Sequence, residues 1–295
     1  MQLVDQLAQF RPRQIATPAG MVQYRSAASV GASASPVTHV LLHGIGSGAG
    51  SWVYQFIQTT KITDSDVRVL AWDAPGYSGS DALPMSEPSA SDFARQMWAW
   101  LDAVHAAENA PAEAVEPITL VGHSLGCLMA ASATRLAQAR VKQLILLAPA
   151  QGYARADAAV RAGKLNDRLD TLARLGPAQM AQSRGAAMLS PAAASEQIEL
   201  VQSIMAQINP HGYAQAARML SHGDLLTDLE SIRCPVIVAS GDADTITPPA
   251  ACIAAAAHVG APYISLAGAG HACAIEAAKA VNELLGLTVI QQANA

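Results

Sequence analysis

Six short apolar runs without polar alternation constrain the fold of this chain more than any other feature. They are VTHVLLHG (37–44), VRVLAWD (67–73), PITLVGH (117–123), VKQLILLAPA (141–150), CPVIVASG (234–241) and PYISLAG (262–268). Strands with this pattern are typical of a parallel sheet that is covered on both faces. Helical sequences alternate with them at 89–109, 125–139 and 274–286. The alternation predicts an α/β fold with a mostly parallel, doubly wound sheet.

Composition and charge exclude several classes of protein. Hydrophobic residues make up 51% of the chain and charged residues 14%, which excludes intrinsic disorder. The net charge is −5 and no basic stripe is present, so we expect no nucleic-acid partner. No apolar run reaches the roughly 18 residues of a spanning helix, and none near the N-terminus is long enough for a secretory signal. We therefore expect a cytoplasmic protein without a membrane segment.

The cysteines give no sign of a metal site or a disulfide framework. Cys127, Cys234, Cys252 and Cys273 lie far apart and have no metal-ligand spacing. We predict that they are reduced thiols used mainly in packing. Neither a dinucleotide fingerprint nor a P-loop lysine is present, which argues against a phosphate-binding glycine-rich loop. We expect no metal and no cofactor. The sequence leaves the oligomeric state open, a homodimer included.

The strand and helix alternation stops between residues 151 and 230. This stretch has no strand candidate and is predicted to form short helices near 155–163, 166–175, 177–188, 195–207 and 211–221. Such an insertion would cover the carboxyl edge of the sheet, where open α/β sheets bind ligands. The alternative is a second packing layer without a functional role. We expect a core domain of residues 1–150 and 231–295 and a helical cap of residues 151–230. The cap is inserted before the strand at 234–241, which leads to the candidate catalytic acid.

A strand-to-helix junction carries the strongest chemical signal. The segment Gly122-His123-Ser124-Leu125-Gly126 fits the pattern G-x-S-x-G. A predicted strand precedes it and a predicted helix follows it, which is the context in which this pattern forms a nucleophile turn. Both glycines are needed because side chains at their positions would clash with the neighbouring strand and helix. We predict that Ser124 is a nucleophile exposed at the N-terminus of the helix.

A serine hydroxyl is a poor nucleophile unless a base accepts its proton. His271 follows the last predicted strand and precedes a helix, so we expect it at the carboxyl edge of the sheet as the base. Two aspartates follow the strand CPVIVAS. Asp244 lies deeper in the loop and is predicted as the acid, whereas Asp242, beside the strand end, is predicted as a turn or supporting residue. The order Ser…Asp…His is the one expected after such a turn.

Acyl transfer also needs hydrogen-bond donors for the developing oxyanion. The backbone N–H of Leu125, just after the nucleophile, is one candidate. The glycine-rich loop HGIGSG (43–48) follows an earlier strand, and we predict that the N–H of Ile45 is the second donor. The predicted substrate pocket further includes His43, Gly44, Trp52 and His123.

With these motifs, the chain resembles the serine hydrolases of the α/β-hydrolase superfamily over residues 20–290. The resemblance rests on HGIGSGAGSW (43–52), DAPGYSGSD (73–81), GHSLG (122–126), GDADTITP (241–248) and GAGHACAIE (268–276), in the order and spacing of that family. It implies an α/β-hydrolase fold with Ser124, Asp244 and His271 as the triad. It also implies that His43 and Asp73 are structural members of their loops.

Within the superfamily, the loop HGIGSGAGSW is similar to that of meta-cleavage-product C–C hydrolases. The cap and residues 210–285 are similar to 3-oxoadipate enol-lactonases. The resemblance implies a serine hydrolase acting through an acyl-enzyme on a small carboxylic ester or lactone. The alternative is a C–C bond hydrolase acting on a meta-cleavage product of aromatic degradation. A non-catalytic ligand-binding protein of this fold is a third interpretation, although no triad member is missing.

The chain departs from the family pattern at Cys127, where many relatives have a second glycine after GHSLG.

The predicted cap carries an excess of positive charge. Residues 151–190 contain six basic residues, which are Arg155, Arg161, Lys164, Arg168, Arg174 and Arg184. They contain three acids, which are Asp157, Asp167 and Asp170. We favour a solvated helix face as the explanation, and an anionic substrate held by a cap arginine is the alternative.

Overall fold

The computed structural model describes residues 2–33, 35–109 and 116–289. Within them, eight strands form one sheet in the spatial order β1-β2-β4-β3-β5-β6-β7-β8. The strands are β1 (Arg13–Thr17), β2 (Gly20–Ala28), β3 (His39–Leu42), β4 (Arg68–Trp72), β5 (Ile118–His123), β6 (Val141–Leu147), β7 (Val236–Gly241) and β8 (Tyr263–Leu266). The first two pairings, β1 with β2 and β2 with β4, are antiparallel, and all others are parallel. The mostly parallel sheet predicted from the six apolar runs is confirmed.

Burial on both faces explains why the central strands lack polar alternation. Every residue of β3, β4 and β5 is buried. Neighbouring residues on one strand belong to different apolar clusters: Leu120 packs into one cluster and Val121 into the other. Leu41 and Leu42 divide in the same way on β3. A strand whose successive side chains enter two separate cores needs an apolar residue at each position.

Helices cover both faces of this sheet. They are α1 (Leu3–Leu7), α2 (Val53–Thr59), α3 (Ala90–Ala107), α4 (Gly126–Leu136), α5 (Ala158–Arg184), α6 (Ser195–Met205), α7 (Pro210–His222), α8 (Leu225–Leu229), α9 (Pro249–His258), α10 (Cys273–Glu276) and α11 (Ala278–Leu284). Residues of α3, α4 and α9 pack into one core, and residues of α2, α10 and α11 into the other. This is the predicted doubly wound arrangement. All four cysteines are free thiols.

Helices α5 to α8 lie between β6 and β7 in the chain, where the sequence predicted a helical insertion. Residues 151–230, which the structure describes in full, contain no strand. The separate helices predicted at 155–163 and 166–175 are one continuous helical run, because no residue between them leaves the helical conformation. The break in α5 comes at Gly176, which has φ 67° and ψ 170° and precedes Pro177, between the helices predicted at 166–175 and 177–188. This break divides α5 into two helical arms.

None of the described helices combines the length and the apolarity that crossing a membrane would require.

Candidate active site

The turn between β5 and α4 holds Ser124 in a strained conformation. Its φ is 52°, a left-handed value that non-glycine residues seldom adopt. Backbone hydrogen bonds fix the turn on both sides, since Ser124 N donates to Leu147 O at 2.9 Å and Ala150 N donates to Ser124 O at 3.2 Å. The strain is therefore supported by the neighbouring strand β6, and it presents the serine at the start of α4.

The two glycines of the turn have no room for a side chain. A Cβ at Gly122 would lie 2.6 Å from Gly126 O, inside the helix that follows. A Cβ at Gly126 would lie 2.3 Å from Leu42 O, on the neighbouring strand β3. These close approaches are what allow α4 to begin directly against the sheet.

Replacing Gly126 with alanine is expected to destabilise the protein by about 1–3 kcal/mol, because the added methyl overlaps a backbone carbonyl that cannot move aside. Gly163 provides a matched control, since a Cβ there would meet nothing within 4 Å inside α5. Gly163→Ala should stabilise the protein by roughly 0.5–1 kcal/mol. Urea unfolding of both variants measures the difference, and equal midpoints for the two would contradict the close packing at Gly126.

Asp244 and His271 form a buried pair at the carboxyl ends of β7 and β8. His271 Nδ1 lies 2.9 Å from Asp244 Oδ2, and both side chains are almost fully buried. Asp244 Oδ1 also accepts from the backbone N–H groups of Ile246 at 2.8 Å and Thr247 at 3.0 Å. Burial alone would raise the pKa of Asp244, but the hydrogen bond and charge of His271 and the Thr247 donors outweigh it and lower the pKa. The carboxylate is thus held ionised beside the imidazole.

Asp242, the neighbouring aspartate, lies outside this buried pair and is exposed. Asp242 Oδ1 accepts from Gly268 N at 2.8 Å and ties together the loops that follow β7 and β8.

Thr247, which was not predicted as a site residue, contacts the buried pair of Asp244 and His271 directly. Its Oγ1 lies 2.8 Å from Asp244 Oδ2 and 3.2 Å from His271 Nδ1. The signal that could have found it is its position three residues after Asp244, where a hydroxyl can bond back to the carboxylate.

His123 lies beneath the imidazole of His271 as a neutral side chain. Its Nε2 donates to His271 O at 2.8 Å, and the two rings are 4.9 Å apart. Burial, reinforced by the charge of His271, lowers the pKa of His123 to about 3. A neutral ring that donates from Nε2 has a free lone pair on Nδ1. His123 therefore holds the backbone of the His271 loop in place without adding a positive charge.

The loop after β3 packs directly on the serine. A Cβ at Gly44 would lie 2.9 Å from the Cβ of Ser124, so only a glycine permits this approach. His43 fixes the loop from below: its Nε2 accepts from Ala74 N at 2.9 Å, so Nδ1 carries the proton and donates to Gly44 O at 2.8 Å. His43, expected in the substrate pocket, lies under it as a structural residue because both ring nitrogens are used in the loop.

Two backbone N–H groups beside Ser124 are available to a ligand. They are the N–H groups of Ile45 and Leu125, for which no protein hydrogen bond forms within the described residues. Leu125 is buried and Ile45 is half-buried, and an N–H without a protein partner can donate to a ligand. Leu125 follows Ser124 directly, and Ile45 lines the same cavity as Ser124. They are the donors that the sequence predicts for an oxyanion, and that role stays a prediction.

Ser124 and His271 open into one cavity of about 550 Å³. Its walls come from the loops after β3, β6 and β7 and from the helical insertion. Within the described residues, the Ser124 hydroxyl makes no hydrogen bond to the imidazole, as is common in such sites before substrate binds. Residues of the insertion also line this cavity, and no motif predicted them as site residues; they include Tyr153, Met180 and Tyr213.

A smaller, mostly apolar cavity adjoins the first one behind Ile45. It is lined by Gly44, Trp52 and His123, three of the four residues expected in the pocket, and by apolar side chains of α6. The rings of Trp52 and His123 stand perpendicular at 6.5 Å. Trp52 therefore forms a wall of this side cavity.

Comparison with known proteins agrees with this fold. A profile of the alpha/beta hydrolase family matches residues 40–284, which run from β3 to α11. The chain belongs to the alpha/beta hydrolase family. The matched segment includes every strand of the parallel part of the sheet, and with it Ser124, Asp244 and His271. This membership confirms the fold class predicted from the sequence.

Two curated relatives of this alpha/beta hydrolase are themselves named hydrolases. A 2-hydroxy-6-oxo-6-phenylhexa-2,4-dienoate hydrolase from Comamonas testosteroni is 30% identical over 110 residues, 37% of this chain and 35% of that protein. The match thus spans about a third of that relative's length. A (E)-2-((N-methylformamido)methylene)succinate hydrolase from Acinetobacter baylyi is 25% identical over 215 residues, 70% of this chain and 72% of that protein.

Solved structures share the whole architecture. The enol-lactonase from Burkholderia xenovorans LB400 superposes with a TM-score of 0.69 over 93% of this chain and 98% of that one, at 19% identity. At that identity the likeness establishes the fold alone.

Proposed function

We propose that this alpha/beta hydrolase is a serine hydrolase that cleaves a small carboxylic ester or lactone through an acyl-enzyme. One observation carries the proposal: a strained serine and a histidine bonded to a buried carboxylate open into one cavity. Ser124 supplies the nucleophile and His271 the base. Asp244, at 2.9 Å from His271 Nδ1, would fix the tautomer that leaves Nε2 free to accept the serine proton.

The reaction would follow from these positions. His271 takes the proton of Ser124 Oγ as the oxygen attacks the substrate carbonyl. The carbonyl oxygen becomes negative, and the free N–H groups of Ile45 and Leu125 stabilise it. His271 then gives the proton to the leaving oxygen, and Asp244 stabilises the imidazolium in between. Water activated by the same histidine hydrolyses the acyl-enzyme and restores Ser124.

We further propose that residues 151–230 act as the cap of this site, with residues 1–150 and 231–295 as the core domain. The insertion is anchored firmly at α7, since Gln215 Nε2 donates to Leu83 O at 2.7 Å and to Met85 O at 2.6 Å. Helix α5 is held less firmly, with only Leu172, Met180 and Ala181 buried. In such a cap, α5 would exclude water from the cavity while α7 keeps the insertion attached to the core domain.

A second candidate is hydrolysis of a C–C bond in a meta-cleavage product. The relative from Comamonas testosteroni favours it by its name and by its 30% identity over 110 residues. The same serine, histidine and aspartate would serve both reactions, so the site alone does not separate them. A binding protein that has lost catalysis is a third candidate, which the complete set of Ser124, Asp244 and His271 argues against.

Substrate assays separate the candidates. We expect 4-nitrophenyl acetate and butyrate to be hydrolysed, and a 2-hydroxy-6-oxo-dienoate to be cleaved much more slowly, as judged by kcat/KM. Efficient cleavage of the dienoate with weak ester turnover would replace the first candidate by the second. No turnover of any of these compounds, together with measurable binding of them, would favour the binding protein.

A further inference from the structure

Two arginines of the insertion line the cavity that contains Ser124. Arg168 lies on the first arm of α5 and Arg184 at the end of the second arm, after the break at Gly176. The break folds the arms towards each other, since Arg184 Nη2 lies 3.4 Å from Thr171 Oγ1 on the first arm. Arg168 is half-buried, and Arg184 is more exposed at the mouth. The two positive charges therefore face one space from opposite arms.

Neither guanidinium has an anionic partner within the described residues. No carboxylate lies within 4.0 Å of Arg168 or Arg184, whereas Arg155 on the same insertion pairs with Asp224 at 2.9 Å. In the part of the chain that the structure describes, Arg168 donates to Lys164 O at 3.1 Å and to the Tyr153 hydroxyl at 3.3 Å and to no other acceptor. A guanidinium has five N–H donors, so most of those on both arginines remain available.

Two tyrosines that line the cavity lie beside the arginine pair. Burial raises the pKa of the Tyr213 phenol, and the charges of Arg168 and Arg184 oppose that rise. Tyr213 and Tyr153 both line the cavity and bring hydroxyl groups beside the arginines. The guanidinium of Arg168 also lies 5.4 Å from the centre of the Tyr153 ring, which holds it in place.

We infer that the substrate carries a carboxylate besides the bond that is cleaved, and that Arg168 and Arg184 bind this carboxylate from the two arms of α5. A planar guanidinium matches a carboxylate with two parallel hydrogen bonds, and two unpaired guanidiniums in one cavity favour such an anion. The volume of about 550 Å³ limits it to one small molecule that contains both groups. This inference rests on the proposed ester or lactone hydrolysis and narrows it to anionic substrates.

Paired esters test the inference. On the acyl side, 4-nitrophenyl hemiglutarate is compared with neutral 4-nitrophenyl valerate. On the leaving-group side, 4-acetoxybenzoate is compared with neutral 4-acetoxybenzamide. We expect the wild type to prefer the anionic ester of at least one pair, chiefly through KM. In Arg168→Gln and Arg184→Gln the ratio of kcat/KM for anionic over neutral ester should fall by roughly tenfold to a hundredfold.

Arg174→Gln is the matched control, because Arg174 lies exposed on α5 and does not line the cavity. It removes the same charge and should leave both ratios unchanged. Equal ratios in the wild type and in the Arg168 and Arg184 variants, or an equal fall in Arg174→Gln, would overturn the inference. Turnover of neutral esters reports on the proposed function separately.

A binding measurement keeps the inference testable without catalysis. Calorimetry with monomethyl glutarate should give an affinity for Ser124→Ala at least about tenfold higher than for the same variant with Arg168→Gln and Arg184→Gln added. Equal affinities would contradict the arginine site even if no ester were turned over.

Discussion

Replacing Ser124 with alanine is expected to lower kcat for 4-nitrophenyl butyrate by roughly 10⁴–10⁶-fold. The variant lacks the oxygen that attacks the carbonyl, so the covalent route is closed. The N–H groups of Ile45 and Leu125 and the cavity remain, and a small residual rate above that in water should persist. The measurement is steady-state release of 4-nitrophenol by the wild type and the variant under the same conditions.

Ser132→Ala is the matched control for this substitution. Ser132 is a fully buried serine two turns further along α4, bonded to Ser91 at 3.0 Å rather than facing the cavity. It should keep wild-type turnover with a modest loss of stability. If Ser124→Ala retained most of the activity, or if both variants lost it equally, the role of Ser124 as the nucleophile would be wrong.

Asp244→Asn is expected to lower kcat by about 10⁴-fold, by analogy with the loss of the acid from other triads. An amide at this position can donate to His271 Nδ1, which would favour the tautomer with the proton on Nε2 and leave that nitrogen unable to accept the serine proton. The variant also loses the negative charge that stabilises the imidazolium. Activity assays at neutral pH, with circular dichroism to monitor folding, measure the effect.

The neighbouring aspartate separates a catalytic effect from a local structural one. Asp242 is exposed on the same loop and accepts from Gly268 N, so Asp242→Asn should cost much less activity. The reverse order, with Asp242→Asn the more damaging change, would transfer the acid role to Asp242. Similar losses in both variants would indicate that the loop, rather than one carboxylate, matters.

Much of this fold was predictable because the two faces of its central strands pack into two different apolar cores. The runs at 37–44 and 117–123 have no polar alternation, and the structure buries every residue of β3 and β5. The glycines around Ser124 were equally informative, since a turn this tight has no room for a Cβ at Gly122 or Gly126. Burial on both faces of a strand and lack of space for a side chain each restrict the residue type locally, so a short stretch of sequence is enough to predict them.

Other features depend on contacts between distant residues, which a local pattern does not contain. The hairpin of β1 and β2 was not specified, because β1 at the sheet edge is mostly exposed and β2 is mostly half-buried, so neither has a continuous apolar run. The boundary predicted between the helices at 155–163 and 166–175 is wrong, whereas the boundary predicted between 166–175 and 177–188 coincides with the break at Gly176. Arg168 and Arg184 were counted as part of a solvated face, and only the fold of α5 at Gly176 brings them to the cavity.

Covalent labelling of Ser124 tests the central claim most directly. A small fluorophosphonate reacts by forming a bond between its phosphorus and the attacking oxygen, with loss of fluoride. In an enzyme preparation that turns over 4-nitrophenyl butyrate, we predict that activity falls in proportion to the label and that peptide mass mapping finds one adduct, on Ser124. Full activity in a chain labelled at Ser124, or loss of activity with the adduct on another residue, would contradict the account.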